Sequence, residues 1–137
     1  MLDQTDRDII NLLSKNSRSQ WREIGDVVHL TGQGVKNRVV RLEKDGVIQS
    51  YTITTNPYKM GLFCEAFVTV FMKTTEHQAF LHHLAQCASV SEVYRIGGEG
   101  CYLVKVLAAD QRELTALLDE ILQYANYRVN MTIDRIK

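Results

Sequence analysis

The chain has 137 residues, 45% of them hydrophobic and 23% charged, and this ordinary composition excludes a disordered or collagen-like protein. Sixteen basic and sixteen acidic side chains give a formal net charge of zero, which argues against a protein that coats nucleic acid regardless of sequence. No apolar run approaches the roughly 20 residues that span a bilayer, and the acidic start MLDQTDRDII differs from a signal peptide. We therefore expect a cytoplasmic protein of one domain, or of two very small ones.

Helical spacing of apolar residues dominates the first fifty residues. The first predicted helix opens at Leu2-Asp3, with Asp3 or Thr5 as its cap, and a second runs from about Ser19 to Val28. After a short break, a third extends from Gly32 to about Lys44. Thr31 is its predicted N-cap and Gly46 its left-handed C-cap, and the alternation over 47–53 predicts a short strand.

The only proline lies in TTNPYKMG, and residues 54–62 are the predicted linker. Beyond it the apolar pattern changes to period two, with small and apolar residues at the even positions from Cys64 to Met72. The predicted order is strand 63–73, helix 76–87, strands 90–96 and 101–108, helix 111–124 and strand 128–137. This β-α-β-β-α-β pattern is typical of a ferredoxin-like domain, which leaves one sheet face bare for a second copy to cover.

Three cysteines, Cys64, Cys87 and Cys101, form no CxxC pair, and the four histidines add no metal-ligand spacing to them. We interpret the cysteines as buried free thiols, and we predict neither a metal site nor a cofactor.

The third predicted helix carries the most information about function. Val35, Val39 and Leu42 fall on one side at about 100° per residue, so they form its core stripe. Amide and cationic side chains lie on the other side and its flanks, and such groups read base edges and bind phosphates. A helix that follows a tight turn in this way is typical of a helix-turn-helix that contacts DNA, although a basic helix face is also compatible with a merely solvated surface. The predicted DNA-binding residues are Thr31, Gln33, Lys36, Asn37, Arg38, Val40, Arg41 and Lys44.

Within this set we expect base contacts from Gln33, Asn37, Val40 and Arg41, and phosphate contacts mainly from Lys36, Arg38 and Lys44. Arg38 has an alternative role, bracing the fold through Glu43 or Asp45. The helix-weakening glycines Gly32 and Gly34 have two explanations, close approach to the DNA backbone or a tightly packed first turn.

These residues resemble the Lrp/AsnC (feast/famine) family of transcription regulators over nearly the whole chain. The resemblance rests on LDQTDRDIINLLSKNSR and on REIGDVVHLTGQGVKNRVVRLEKDGVIQSYT. It implies an α+β protein with a winged helix-turn-helix domain over 1–53 and a ferredoxin-like, RAM-type domain over 63–137 that binds effector and oligomerises. It further implies a homodimer that assembles to an octamer, and a two-fold dimer implies a palindromic DNA operator.

The resemblance also implies a small amino-acid effector, bound between dimers near the turn of Gly98, Glu99, Gly100, Cys101 and Tyr102. Many members carry an aromatic residue and an aspartate where this chain has Gly100 and Cys101. A neutral thiol does not replace a carboxylate that pairs with an ammonium group, although Glu99 is a possible substitute. The turn is therefore either an effector site or a plain glycine-rich hairpin turn.

Three other functions compete with an effector-modulated, nucleoid-associated regulator. An enzyme is one, but no nucleophile–base pairing stands out, so we predict none. An effector-independent architectural protein that bridges DNA is the main alternative. A metabolite sensor for which DNA is secondary is the third, and tight ligand binding with weak DNA affinity would identify it.

Overall fold

The computed structural model describes residues 1–137, and the chain divides into two units, 1–54 and 55–137. The first unit contains the helices α1 (Gln4–Lys15), α2 (Trp21–Val28) and α3 (Gly32–Lys44). The second contains β1 (Cys64–Met72), α4 (His77–Gln86), β2 (Val90–Arg95), β3 (Tyr102–Ala108), α5 (Gln111–Ile121) and β4 (Ala125–Met131). None of these helices is both long and apolar enough to cross a membrane.

A reciprocal capping box begins α1. The Asp3 carboxylate accepts the Asp6 N–H at 2.8 Å, and the Asp6 carboxylate accepts the Asp3 N–H at 3.2 Å. Asp3, rather than Thr5, is therefore the cap, because these two bonds satisfy N–H groups that the first helical turn leaves free.

A tight turn joins α2 to α3. His29 adopts a left-handed conformation with φ of 60°, and the Leu30 N–H donates to the Gly25 carbonyl at 3.0 Å. A Cβ on Gly25 would overlap the Leu30 carbonyl oxygen, so only glycine permits this approach. The turn brings Ile24 of α2 and Val35 of α3 into one buried core.

The predicted end of α3 is confirmed, but the predicted strand over 47–53 is wrong. Gly46 takes a φ of 73°, and the Val47 N–H returns to the Leu42 carbonyl at 2.9 Å. The chain then runs on without ladder pairing, and the Tyr51 hydroxyl donates to the Glu43 carboxylate at 2.7 Å. Alternation alone does not make a strand, because its backbone groups need a partner strand, and this unit contains none.

The second unit confirms the β-α-β-β-α-β order. Its four strands form one antiparallel sheet in the order β2-β3-β1-β4. Both helices pack on one face of this sheet, where a single core joins residues of the strands and helices, among them Val68, Val104, Phe80, Leu84, Leu117 and Ile121.

Neither helix of the second unit lies on the other sheet face. The odd residues of β1 lie there, and Phe67 and Tyr94 remain 36% and 53% exposed. The face also holds charged groups, since Arg128 stacks 5.3 Å from the centre of the Phe71 ring. This face is called the open sheet face below.

The end of the chain differs from the prediction. Helix α5 ends at Ile121 instead of Tyr124, and β4 begins at Ala125 instead of Arg128. Ala125 is fully buried and pairs with Met72 of β1, so pairing with the neighbouring strand sets this boundary. The strand ends at Met131 because the β1–β4 pairing stops there, which leaves Ile133 and Ile136 exposed.

The predicted linker contains a single 3-10 turn, Tyr58–Met60, within the second unit. The Leu62 N–H donates to the Pro57 carbonyl at 2.9 Å, and the Phe63 N–H donates to the Ala109 carbonyl at 3.3 Å. The first bond closes the turn, and the second connects the segment to the residue that follows β3.

The three cysteines are free, as predicted, but only Cys64 is buried. Cys87 and Cys101 are half-buried, because Cys87 lies at the C-terminal end of α4 and Cys101 in the turn before β3. The prediction of burial is therefore wrong for these two thiols.

Candidate nucleic-acid interface and effector turn

Helix α3 divides sharply into a buried side and an exposed side. Val35, Val39 and Leu42 are at most 1% exposed, as the sequence spacing predicts. At its N-terminus the Thr31 hydroxyl accepts the Gly34 N–H at 3.0 Å, so the predicted cap is present. The buried stripe determines which side chains face solvent.

The exposed side of α3 carries amides and free cations. Gln33 and Asn37, one helical turn apart, are joined by a bond of 2.9 Å from Gln33 Nε2 to Asn37 Oδ1. Val40 is 52% exposed, and the predicted residues Lys36 and Lys44 are also exposed. These five residues, Gln33, Lys36, Asn37, Val40 and Lys44, are called the outward face below.

The glycines of the first turn of α3 lie against protein. A Cβ on Gly32 would lie 3.3 Å from the backbone nitrogen of Arg22, and one on Gly34 would lie 3.2 Å from the Thr31 hydroxyl oxygen. Of the two explanations for these glycines, the packed first turn accounts for Gly32, because the α2 backbone occupies the adjacent space.

Arg38 and Arg41 both bind a carboxylate from α1. Asp6 is fully buried and accepts Arg38 Nη1 at 3.0 Å and Arg41 Nη2 at 2.6 Å. Arg38 also binds Asp3 at 2.7 Å. The bracing role proposed for Arg38 is therefore present, but its partners are Asp3 and Asp6 instead of Glu43 or Asp45. Arg41, predicted to face bases, is engaged by Asp6 on one side and remains half-exposed.

Electrostatics agree with this network. The hydrogen bond from Arg38 holds the pKa of Asp3 below its ordinary value, and the bonds to Asp3 and Asp6 raise the pKa of Arg38. Asp6 was not among the residues predicted to matter for the site. Its spacing to Ile9 and Leu13 places it on the buried side of α1, which is the signal that would have revealed it.

The predicted effector turn is a tight glycine turn between β2 and β3. Gly98 and Gly100 have φ values of 93° and 90°. A Cβ on Gly100 would lie 2.7 Å from Thr69 Cγ2, and the Cys101 N–H donates to the Val70 carbonyl at 2.7 Å. The turn is therefore packed against β1, and position 100 accepts only glycine in this conformation.

The side chains of this turn point in different directions. Tyr102 is 3% exposed, and its hydroxyl lies 2.8 Å from His77 Nδ1 on the helix-covered side of the sheet. The Glu99 side chain is 85% exposed, and its Oε2 lies 3.4 Å from Arg128 Nη1. The sequence contained no signal for Arg128, which the pairing of β1 with β4 brings to this turn.

Comparison with known proteins agrees with both units. Residues 65–137 match the family described as the Lrp/AsnC ligand binding domain, and residues 2–49 match the winged helix-turn-helix DNA-binding family. The HTH-type transcriptional regulator LrpB of Bacillus subtilis is 40% identical over 136 residues, which cover 99% of this chain and 91% of that protein.

Solved structures have the same fold. The B. subtilis LrpC structure matches with a TM-score of 0.95 and 29% identity, covering 100% of this chain and 98% of that chain. A regulator from Neisseria meningitidis, solved as a complex with L-Met, matches with a TM-score of 0.93 at 23% identity, covering 100% and 93% of the two chains.

A helix-turn-helix unit joined to an α+β ligand-binding unit defines a DNA-binding transcriptional regulator, not an enzyme. The chain belongs to the Lrp/AsnC family of these regulators.

Proposed function

We propose that this regulator recognises a specific DNA sequence through the outward face of α3, and that a small amino acid modulates this binding. The observation that carries the proposal is the outward face itself, where two amides and two lysines stand on a helix whose other side is fully buried. Amides suit base edges and lysines suit phosphates, so one face supplies both kinds of contact. Such a protein acts in the cytoplasm at the nucleoid.

The predicted residues outside the outward face, Thr31, Arg38 and Arg41, contribute to DNA binding in other ways. Thr31 stands at the N-terminus of α3, where backbone N–H groups attract phosphate. Arg41 is half-exposed, and we propose that it binds DNA through the N–H groups that Asp6 does not occupy. Arg38 orients α3 by its contacts with Asp3 and Asp6.

The open sheet face supports pairing with a second copy of the chain. It combines exposed aromatic rings with charged groups that already have partners, such as Lys105 Nζ, which lies 3.6 Å from Glu65 Oε1. A two-fold homodimer would bind a palindromic operator, and assembly of dimers to an octamer would multiply weak contacts from a chain without net charge.

Two substitutions on α3 test the DNA contacts. Asn37→Ala should reduce the preference for the operator over scrambled DNA, because it removes an amide that reads a base edge. Lys36→Ala should weaken binding to every sequence alike and lower the salt slope by about 0.9, the value for one phosphate contact. Affinities for operator and scrambled DNA at several salt concentrations measure both effects.

Lys15→Ala is the matched control, since Lys15 is an exposed lysine on α1. It should leave preference and salt slope unchanged. The outward face would be excluded as the DNA contact if Asn37→Ala kept its preference for the operator and Lys36→Ala kept its salt slope.

The effector turn offers opposite charges to a zwitterion. The Glu99 carboxylate and the Arg128 guanidinium are exposed and adjacent, so they complement the ammonium and carboxylate groups of an amino acid. The Neisseria meningitidis regulator, which shares this fold, was solved with an amino acid, L-Met. We therefore propose that a small amino acid binds at Gly98–Tyr102, between dimers.

Thermal unfolding with each common amino acid tests this site. A ligand that binds the folded state should raise the Tm, and Glu99→Gln should abolish the shift, whereas Asp134→Asn in the exposed tail should retain it. The same shift in Glu99→Gln and in the unmodified protein would place the effector elsewhere.

The alternative is an architectural protein that bridges DNA without an effector. The observation in its favour is that Glu99 is already paired with Arg128 and that position 101 holds a thiol instead of a carboxylate. DNA binding that ignores sequence, with no Tm shift from any amino acid, would establish this alternative.

A further inference from the structure

Three ligand-type side chains meet between the two helices of the second unit. His83 and Cys87 are four residues apart on α4 and its C-cap, so they lie on the same side of the helix. Glu120 approaches them from α5. His83 Nε2 lies 3.0 Å from Glu120 Oε2 and 3.8 Å from Cys87 Sγ, and the same sulfur lies 3.9 Å from Glu120 Oε2.

These spacings are close to those around a tetrahedral zinc ion. Bond lengths of about 2.3 Å to sulfur and about 2.1 Å to nitrogen or oxygen place a sulfur about 3.6 Å from each lighter ligand atom. The same geometry separates the nitrogen and oxygen by about 3.4 Å. Each observed distance differs from its ideal by less than about 0.5 Å, so small side-chain adjustments would bring all three atoms onto one ion.

The surroundings suit an ion with one open position. The His83 and Glu120 side chains are 35% and 48% exposed, so water reaches the group from outside. On the other side, the Tyr124 ring lies against His83 with the ring centres 6.0 Å apart. This contact restrains the imidazole before any ion arrives.

Charge also favours a cation at this point. The Glu120 carboxylate lies 3.9 Å from the Cys87 sulfur, and a divalent cation would attract the thiolate and the carboxylate together.

We propose that His83, Cys87 and Glu120 form a binding site for Zn²⁺, with water in the fourth position. One nitrogen, one sulfur and one oxygen ligand are the donor types that zinc combines in proteins. The site takes no part in the DNA contacts of α3 or in the turn at Gly98–Tyr102. It would join α4 to α5 and so stabilise the second unit.

Spectroscopy with Co²⁺ tests the site directly. The full chain is reduced without added thiols, freed of metal by a chelator, and titrated with Co²⁺. One equivalent should produce thiolate-to-cobalt charge-transfer absorption, and Zn²⁺ should displace the cobalt. Zn²⁺ alone should raise the Tm, and a chelator should reverse the increase.

Substitutions assign the ligands. Cys87→Ser should abolish the charge-transfer absorption, and His83→Gln and Glu120→Gln should each weaken Zn²⁺ binding at least about tenfold. The matched controls are Cys101→Ser, which removes the other half-buried thiol, and His82→Gln, which removes the adjacent exposed histidine. Both should bind like the unmodified protein.

Absence of thiolate absorption in the folded, reduced chain would overturn the proposal. The proposal would also be overturned if Cys101→Ser lost as much absorption as Cys87→Ser, or if His82→Gln lost as much Zn²⁺ affinity as His83→Gln. Either result would mean that the metal binds unspecifically at the surface. Circular dichroism checks that each variant is folded. If Cys87→Ser does not fold, the two Gln variants decide, since neither alters the half-buried thiol.

Discussion

The buried carboxylate of Asp6 connects α1 to both arginines of α3. Asp6→Asn keeps the volume and one acceptor oxygen but removes the charge that binds Arg38 and Arg41. Arg41 then loses its carboxylate partner and Arg38 keeps only Asp3, so the polar connection between α3 and α1 is weakened. We expect a large loss of stability in the first unit.

The size of the loss follows from the contacts. A hydrogen bond to a charged group contributes about 1.5–3 kcal/mol, against about 1 kcal/mol for a neutral one. The Arg38 and Arg41 side chains are 28% and 51% exposed, and solvent weakens both pairs. The free energy of unfolding should therefore fall by about 2–3 kcal/mol, a large share of the roughly 3–8 kcal/mol expected for a unit of this size.

Urea unfolding followed by tryptophan fluorescence measures this loss. Trp21 is the only tryptophan, and it packs against the core of the first unit, so its signal reports on that unit. With a slope of about 1 kcal/mol per molar urea, the midpoint should fall by about 2 M or more. Asp8→Asn is the matched control, because Asp8 is an exposed acid on the same helix, and it should change stability by less than about 0.5 kcal/mol.

A double-mutant cycle with Arg41→Gln separates the ion pair from other effects of the substitution. If the pair is responsible, the double variant should lose less stability than the two single losses combined. Equal midpoints for Asp6→Asn and Asp8→Asn, or additive losses in the cycle, would refute the reasoning.

Three further outcomes are expected. Gly25→Ala should lower the urea midpoint more than Gly46→Ala. A Cβ on Gly25 would overlap a carbonyl oxygen, whereas Gly46 has open space around it. The reverse order of midpoints would contradict the turn geometry. Asp3→Asn should be less stable than the unmodified protein at neutral pH, because the ionised Asp3 carboxylate binds Arg38 and has a lowered pKa in the folded state. The difference in urea midpoint should begin to shrink as the pH falls below about 4, the unfolded pKa, and should vanish below the folded pKa. A difference that does not shrink at all on acidification would contradict this. Phe67→Asp on the open sheet face should shift the protein toward monomer in sedimentation velocity, whereas Ile133→Asp in the exposed tail should not. If Phe67→Asp remains an unchanged dimer, the interface lies elsewhere.

Local sequence was sufficient for α3 and for the faces of β1. The cap at Thr31, the stripe of Val35, Val39 and Leu42, and the stop at Gly46 lie within one short segment. Each depends on backbone bonds and side-chain spacing between near neighbours, and such interactions can be inferred from residue order. The same holds for the period-two alternation of β1, whose even residues are buried as predicted up to Val70.

The tertiary structure decided which distant groups meet. Asp6 binds two arginines more than 30 residues away, and Glu120 reaches His83 from another helix. The same long-range pairing starts β4 at Ala125, while the lack of a partner strand leaves 47–53 unpaired. Residue order does not indicate these partners, because only the packing of whole helices and strands brings them together. The role of each side chain then depends on which groups that packing places beside it.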